Sequence, residues 1–239
     1  LNNESIEDPV GKKFNFADMD INYSVSSKSF IEKSKDIIRQ FFNVDQIILR
    51  PFSLVSFLMI RNNYPKYETY LILDIGGEFT EVSSVKKSYL ENKKSFPFGK
   101  NSIIKNIALS LKIENRDAEE LFRLYYQNNM ASSLKEKIQI EMEQVESFWV
   151  QEFKKVLFEI DNIKTIPKTI FLTIDNEMRN WFFGVFKNKK FEKDLTLNNT
   201  FKVIILDENE LINKCFYTEG SHDPFIMIGV ISLSDLCQK

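Results

Sequence analysis

The sequence predicts an α/β fold in which a mixed sheet is flanked by helices. Two observations carry that expectation. An apolar strand, Tyr70–Ile75, runs through Gly76-Gly77 into a second strand, so the sheet contains at least one antiparallel hairpin. Two further short apolar runs, at residues 169–174 and 201–206, are each separated from what precedes them by helical periodicity, the pattern of parallel strands joined by helical crossovers.

The elements follow in order. Leu1–Asp20 is polar and aperiodic, and reads as a flexible arm. Ile21, Tyr23 and Val25 alternate with polar residues as in a half-buried strand. Phe30, Ile31, Ile37, Ile38 and Phe41 recur at helical spacing and predict an amphipathic helix over 27–42. Gln46–Leu49 reads as another strand. Pro51 suits a helix start, and Phe52–Ile60 continues it as a mostly apolar, buried segment broken by Asn62, Asn63 and Pro65. Domain organisation is therefore expected as an arm (1–20), a β-α-β-α segment (21–68) and a larger subdomain (69–239).

Within the larger part, residues 86–98 supply a third antiparallel strand, with polar turn residues around Asn92. Gly99 precedes a helix with the inner face Ile103, Ile104, Ile107 and Leu111, and a second helix runs from Arg116 through Leu124. Ser133 and Glu136 have capping-box spacing and open a long helix. Its apolar stripe, Leu134, Ile138, Met142, Val145, Trp149, Phe153, Val156 and Ile160, reads as core rather than coiled coil, because the chain offers no comparable partner helix. A helix from about Glu177 to Phe186 and a last one capped by Asp223, with Pro224 at its first position, complete the chain.

Composition bounds the function. The 239 residues are 43% apolar and 28% charged with a net charge of -2, so no basic surface points to nucleic acid. No apolar run is long enough for a membrane span, and no secretory signal is visible. Cys215 and Cys237 fit neither a zinc motif nor a disulfide framework and suit a reducing compartment; no metal site is expected. The single histidine, His222 beside Asp223, reads as a surface or capping residue and makes a Ser-His-Asp triad a poor fit. The chain opens on Leu rather than Met, as an excised part of a longer protein would.

The chemistry is concentrated at Asp74-Ile75-Gly76-Gly77-Glu78-Phe79-Thr80. In a chain with 7 glycines, an adjacent pair after a buried strand suggests a turn needing positive φ or close backbone approach. Free N–H groups in such a turn can cradle an anion, and Asp74 could hold a hydrated metal against it. The same residues equally fit a plain β-hairpin with a Gly-Gly turn. On this stretch alone the two readings stand level.

The order of elements after residue 69 resembles the second half of the actin-like (ribonuclease H-like) ATPase fold, most of all in the branch of the cell-division actin FtsA and the pilus-assembly protein PilM. The family's second phosphate motif, Asp-(Ile/Leu)-Gly-(Gly/Ala)-Gly-Thr-Thr, falls on Asp74–Thr80. Its next helix falls on Gly99–Leu111 and its following "AE-x-L" element on Ala118-Glu119-Glu120-Leu121. The resemblance implies phosphate-binding roles for Asp74, Gly76, Gly77, Thr80 and Gly99, with ATP and Mg as the ligands.

Departures from the family pattern set the expected mechanism. Glu78 replaces the third glycine and Phe79 the first threonine. The glycine-rich adenosine motif expected after Ile174 reads Asp175-Asn176-Glu177-Met178, and nothing in residues 1–68 resembles the first phosphate motif. A carboxylate facing a triphosphate costs roughly 1–4 kcal/mol per close contact at surface-like dielectric. The expectation is therefore no catalytic residue and no bound cofactor. It describes a scaffold in a bacterial pilus-assembly or cell-division machine, cytoplasmic at the inner face of the membrane. Its partner would be a membrane-anchored protein or that protein's cytoplasmic peptide, with self-association as a further mode. The alternatives are a fragment of a working actin-like ATPase or sugar kinase, and an interaction domain of no relation to the family.

Overall fold

A computed structural model describes residues 10–13, 15, 23–126, 132–160, 166–187, 201–214 and 223–237. Cys215, His222 and most of the expected N-terminal arm lie outside these residues, as do the side chains of Ser133 and Cys237. The chain divides into two compact units, residues 1–49 and 50–239.

The smaller unit contains α1 (Lys28–Phe41), started by Ser27, whose hydroxyl accepts a hydrogen bond from the Phe30 N–H at 3.2 Å. No residue of α1 is buried. The strand expected over Gln46–Leu49 does not form, and Tyr23–Val25 is likewise irregular. An apolar run of this length has strand propensity, but becomes a strand only where a partner edge accepts its backbone groups.

The larger unit is built on a five-stranded sheet of order β3-β2-β1-β4-β5. Its strands are β1 (Tyr70–Ile75), β2 (Thr80–Lys86), β3 (Tyr89–Phe96), β4 (Thr169–Ile174) and β5 (Lys202–Ile205). The first three are antiparallel, whereas β4 and β5 join parallel, giving the expected mixed sheet. The helices are α2 (Phe52–Asn63), α3 (Lys100–Leu111), α4 (Asn115–Tyr126), α5 (Ser132–Ile160), α6 (Arg179–Lys187), the short α7 (Glu208–Leu211) and α8 (Pro224–Cys237). The break between units falls at residue 49, and α2 packs with α8 inside the larger unit.

One local expectation moves. The β2–β3 turn is at Lys87-Ser88, both with positive φ (49° and 65°), and Asn92 sits within β3, donating from Nδ2 to the Ile160 carbonyl at 3.3 Å. Such a two-residue turn matches the twist of the strands it joins, and Asn-Gly or Asp-Gly normally announces it.

The two faces of the sheet bury separate cores. Leu71, Leu73, Ile75, Val82, Ile170 and Leu172 pack against α3, α4, α5 and α6, with Trp149, Phe153 and Phe182 at the centre. The long α5 lays Ile138, Met142, Val145, Trp149, Phe153, Val156 and Ile160 into this core, as its stripe predicts. Tyr70, Ile72, Val85 and Phe171 face the other way, against α2, α7 and α8. Each large apolar side chain fully buried here contributes about 1.5–3 kcal/mol relative to exposure. The β1–β2 turn is thereby fixed at one end of a rigid two-sided sheet.

Candidate functional site

The site is assembled from the β1–β2 turn, the start of α3 and the loop after β4. Asp74 ends the row of β1 that carries Tyr70 and Ile72, and Gly76 and Gly77 form the turn, where the Gly76 N–H donates to the Phe79 carbonyl at 3.0 Å. Neither glycine has a positive φ. Close approach is required at Gly99 instead, where a Cβ would stand 2.4 Å from the Gly76 oxygen and 2.5 Å from the Gly77 oxygen. Only glycine lets the two backbones meet there.

That meeting has a chemical consequence. The Lys100 N–H donates to the Gly76 carbonyl at 3.0 Å and the Asn101 N–H to the Gly77 carbonyl at 2.8 Å. The Ser102 and Ile103 N–H groups donate to the Gly99 carbonyl at 3.1 and 3.3 Å. A helix start attracts anions through its unsatisfied N–H groups. At α3 these groups are taken by the chain itself.

Thr80 is fully buried, and its hydroxyl donates to the Phe98 carbonyl at 2.6 Å and accepts from Trp149 Nε1 at 3.2 Å. It ties the turn to the α5 core and does not face a ligand. Of the residues matched to the phosphate motif, the structure thus groups Gly76, Gly77 and Gly99 in one backbone junction. It places Thr80 in the core and Asp74 on the opposite face of the sheet, which carries Ile72 and Tyr70.

The acidic replacements are paired. Glu78 accepts from Asn101 Nδ2 at 2.7 Å. Lys100, at the first position of α3, reaches Glu177 at 2.7 Å, Glu119 at 2.9 Å and Asp175 at 3.3 Å. Burial opposes the Lys100 charge, yet hydrogen bonds with Glu177 and Glu119, and the Asp175 charge, hold its ammonium above the ordinary lysine range. Asp175 also accepts from the Glu177 N–H at 3.0 Å and so starts the short turn that leads into α6. One lysine therefore joins α3, α4 and the loop after β4, where the sequence alone suggests bare carboxylates. The signal available in the sequence was its place, directly after Gly99.

On the other face, Asp74 lies between two register partners, Glu81 of β2 and Thr173 of β4. Burial pushes the Asp74 carboxyl up to about 7, Glu81 adds to the rise, and Lys93 opposes it. Its Oδ1, Thr173 Oγ1 and Ser56 Oγ are buried with no hydrogen-bond partner in the protein. Lys93 of β3 pairs with Glu81 and donates to Ser53 Oγ of α2 at 3.0 Å. None of Lys93, Glu81 and Thr173 stands out in the sequence, because only strand register brings them to Asp74. Among the described residues, no group of three or more His, Cys, Asp or Glu side chains is arranged to hold a metal ion. No described helix is long and apolar enough to cross a membrane.

No family model matches the sequence, and no curated protein matches it. Solved structures match the fold. The PilM-PilN type IV pilus biogenesis complex aligns at a TM-score of 0.55 and 16% identity, over 74% of this chain and 47% of the other. MreB5 of Spiroplasma citri bound to AMPPNP aligns at 0.55 and 12% identity, over 90% of this chain and 66% of that one. An archaeal actin homolog aligns at 0.52 and 11% identity, over 81% and 57%. The chain has the actin-like fold, and spans between about half and two thirds of the length of these structures.

Proposed function

We propose that this chain is a non-catalytic actin-like component of a bacterial membrane-associated machine, its fold serving protein contacts rather than nucleotide turnover. The observation that carries this reading is the backbone junction at Gly99. The first N–H groups of α3, which could otherwise draw an anion, are bonded to the Gly76 and Gly77 carbonyls, and Lys100 is held by Glu119, Asp175 and Glu177. An incoming triphosphate would have to break these bonds and face the freed carboxylates. The pilus assignment is supported by the alignment with a structure that is itself a complex of two pilus-biogenesis proteins. On this reading the partner is a membrane-anchored assembly protein or its cytoplasmic segment, met at the inner face of the membrane.

The competing reading, a piece of a working actin-like ATPase or sugar kinase, draws on the alignment with an AMPPNP-bound protein. Isothermal titration with Mg-ATP separates the two. No heat of binding is expected at high micromolar nucleotide, and a micromolar Kd would overturn the proposal. Any ATP hydrolysis the chain did show would be abolished by Asp74→Ala, since Asp74 is the carboxylate that the motif places for a metal.

A further inference from the structure

We propose that α1 lies on an anionic lipid surface, with its apolar face among the acyl chains and its basic borders at the headgroups. The inference rests on the proposed membrane-associated role and adds to it a direct contact between this chain and lipid.

The helix carries an apolar face that nothing buries. It has 14 residues, none of them buried. A helix of that length is marginal in water unless its apolar side is covered. At about 3.6 residues per turn, Phe30, Ile31, Ile37, Ile38 and Phe41 fall within an arc of roughly 120°, interrupted only by the small hydroxyl of Ser34. Phe30, Ile37 and Phe41 are 61%, 56% and 76% exposed. Exposed apolar side chains follow directly after the helix, at Phe42, Ile48 and Leu49.

Where the charges stand decides what fits this face. Lys33 borders the arc on one side and Lys35 on the other, with Lys28 and Arg39 just beyond Lys35. Glu32 and Asp36 stand opposite the arc, and each is matched by a neighbour. Lys28 pairs with Glu32 at 3.6 Å, and Arg39 with Asp36 at 3.7 Å. Four basic side chains against two acidic ones leave α1 at +2, in a chain whose net charge is -2. The helix runs against the charge of the molecule that carries it.

Lysines at the border of an apolar face lay their stems along it and hold the ammonium at its rim, which suits the boundary between hydrocarbon and phosphate. A second copy of α1 is a poor occupant by comparison. Both borders are basic, so two such faces brought together set lysine against lysine along the seam. An anionic lipid surface offers hydrocarbon to the arc and negative charge to both borders at once. About 21 Å long and carrying six charged residues, α1 rests in that surface and does not cross it.

The test uses the full chain with vesicles of phosphatidylcholine alone, or of phosphatidylcholine and phosphatidylglycerol in equal parts, read by co-sedimentation. The chain should bind the mixed vesicles at least about tenfold more tightly than phosphatidylcholine, and less tightly as salt is raised. Phe41→Asp should abolish binding. Lys33→Glu combined with Lys35→Glu should bring binding to mixed vesicles down to the phosphatidylcholine level. Hydrogen exchange of the unsubstituted chain supplies a reading that needs no variant. Amides of residues 28–41 should exchange fast in solution and slowly on mixed vesicles, with those of the sheet unchanged. No binding to mixed vesicles would overturn the proposal, as would binding that survives Phe41→Asp or protection gained elsewhere than at α1. A dimer that Phe41→Asp dissociates, in protein that leaves vesicles unbound, would overturn it in favour of a second copy. The vesicles bring neither nucleotide nor protein, so this outcome stands apart from that of the ATP titration.

Discussion

The two faces of the sheet are made from the same strands and differ in kind. Along β1, Leu71, Leu73 and Ile75 enter the α3–α6 core, while Tyr70, Ile72 and Asp74 enter the face covered by α2 and α8. On the first face the polar hydroxyl nearest the turn, that of Thr80, both donates and accepts. Buried side-chain atoms without a partner also occur there, at Ser84 and Trp181, but neither carries a charge. On the second face Ser56, Tyr70, Asp74 and Thr173 all have unpartnered buried atoms, and one of them is a carboxylate. A protein built for stability alone would not place a carboxyl there, since burying a charge is among the costliest local choices. The first face holds the fold together, and the second keeps polar groups at a cost. Departures from local consistency of this sort tend to sit at functional sites.

The largest expected effect tests the stabilising face. Trp149 is fully buried, stacks on Phe153 at a centroid distance of 5.0 Å and meets Phe182 edge-on at 5.0 Å. Trp149→Ala should cost about 3–5 kcal/mol in urea unfolding, through the cavity it leaves. It also deprives Thr80 of a donor, which loosens the base of the turn. A loss under about 1 kcal/mol would mean that α5 is not the pillar of this face.

The second prediction runs in the opposite direction. The Asp74 carboxyl sits near 7 when folded against an ordinary 3.8, so between those values the folded state binds the proton and the unfolded state does not. Stability should therefore fall as pH rises through that interval, the reverse of the usual carboxylate case. The interval sets a ceiling of about 4 kcal/mol, and water reaching a group not fully buried brings the expected penalty to about 1–2 kcal/mol above pH 7. Asp74→Asn should raise the urea midpoint at pH 8 and lose most of that advantage by pH 4. A variant less stable than the parent at pH 8 would show that the carboxylate is compensated, and would weaken the contrast between faces.

How far the sequence reveals this molecule depends on the range of the interaction. Local pattern suffices for the strands and the longer helices from α2 onward, because the apolar run of β1 marks a strand buried on both faces and the α5 stripe states which side is buried, whereas the four-residue α7 carries no such signal. The Lys87-Ser88 turn escapes notice because neither residue is the glycine or asparagine that usually marks a primed turn. With it goes the β3 register, complicated further by an irregularity at Ser84/Val85, and register is what carries Lys93 to Glu81. Gly76-Gly77 attracts attention as a pair, yet the steric demand falls on Gly99, twenty-odd residues on, where two backbones touch. Lys100 is the clearest case. Its acidic partners in the loop after β4 lie more than seventy residues away, and only the parallel pairing of β4 with β1 brings them close.

The smallest expected effect is at Lys100, on the rim where the stabilising face ends. A cation in the first turn of α3 opposes the helix dipole, which favours negative charge there. It is tolerated because Glu119, Asp175 and Glu177 surround it. The Lys100 side chain is 18% exposed, while those of the three acidic residues are 44–49% exposed, so water screens each pair and each is worth a few tenths of a kcal/mol. Lys100→Met retains most of the stem and removes the charge, leaving three carboxylates to repel one another. The expected loss is about 1 kcal/mol at low salt, shrinking toward zero near 1 M salt, where the screening length is about 3 Å. Hydrogen exchange at the Glu177 amide, which Asp175 caps, should quicken in the variant as the loop is released. A large loss that salt does not change would make Lys100 a packing residue. No loss at low salt would mean that the loop after β4 is held by the apolar face alone, through Met178 and Trp181.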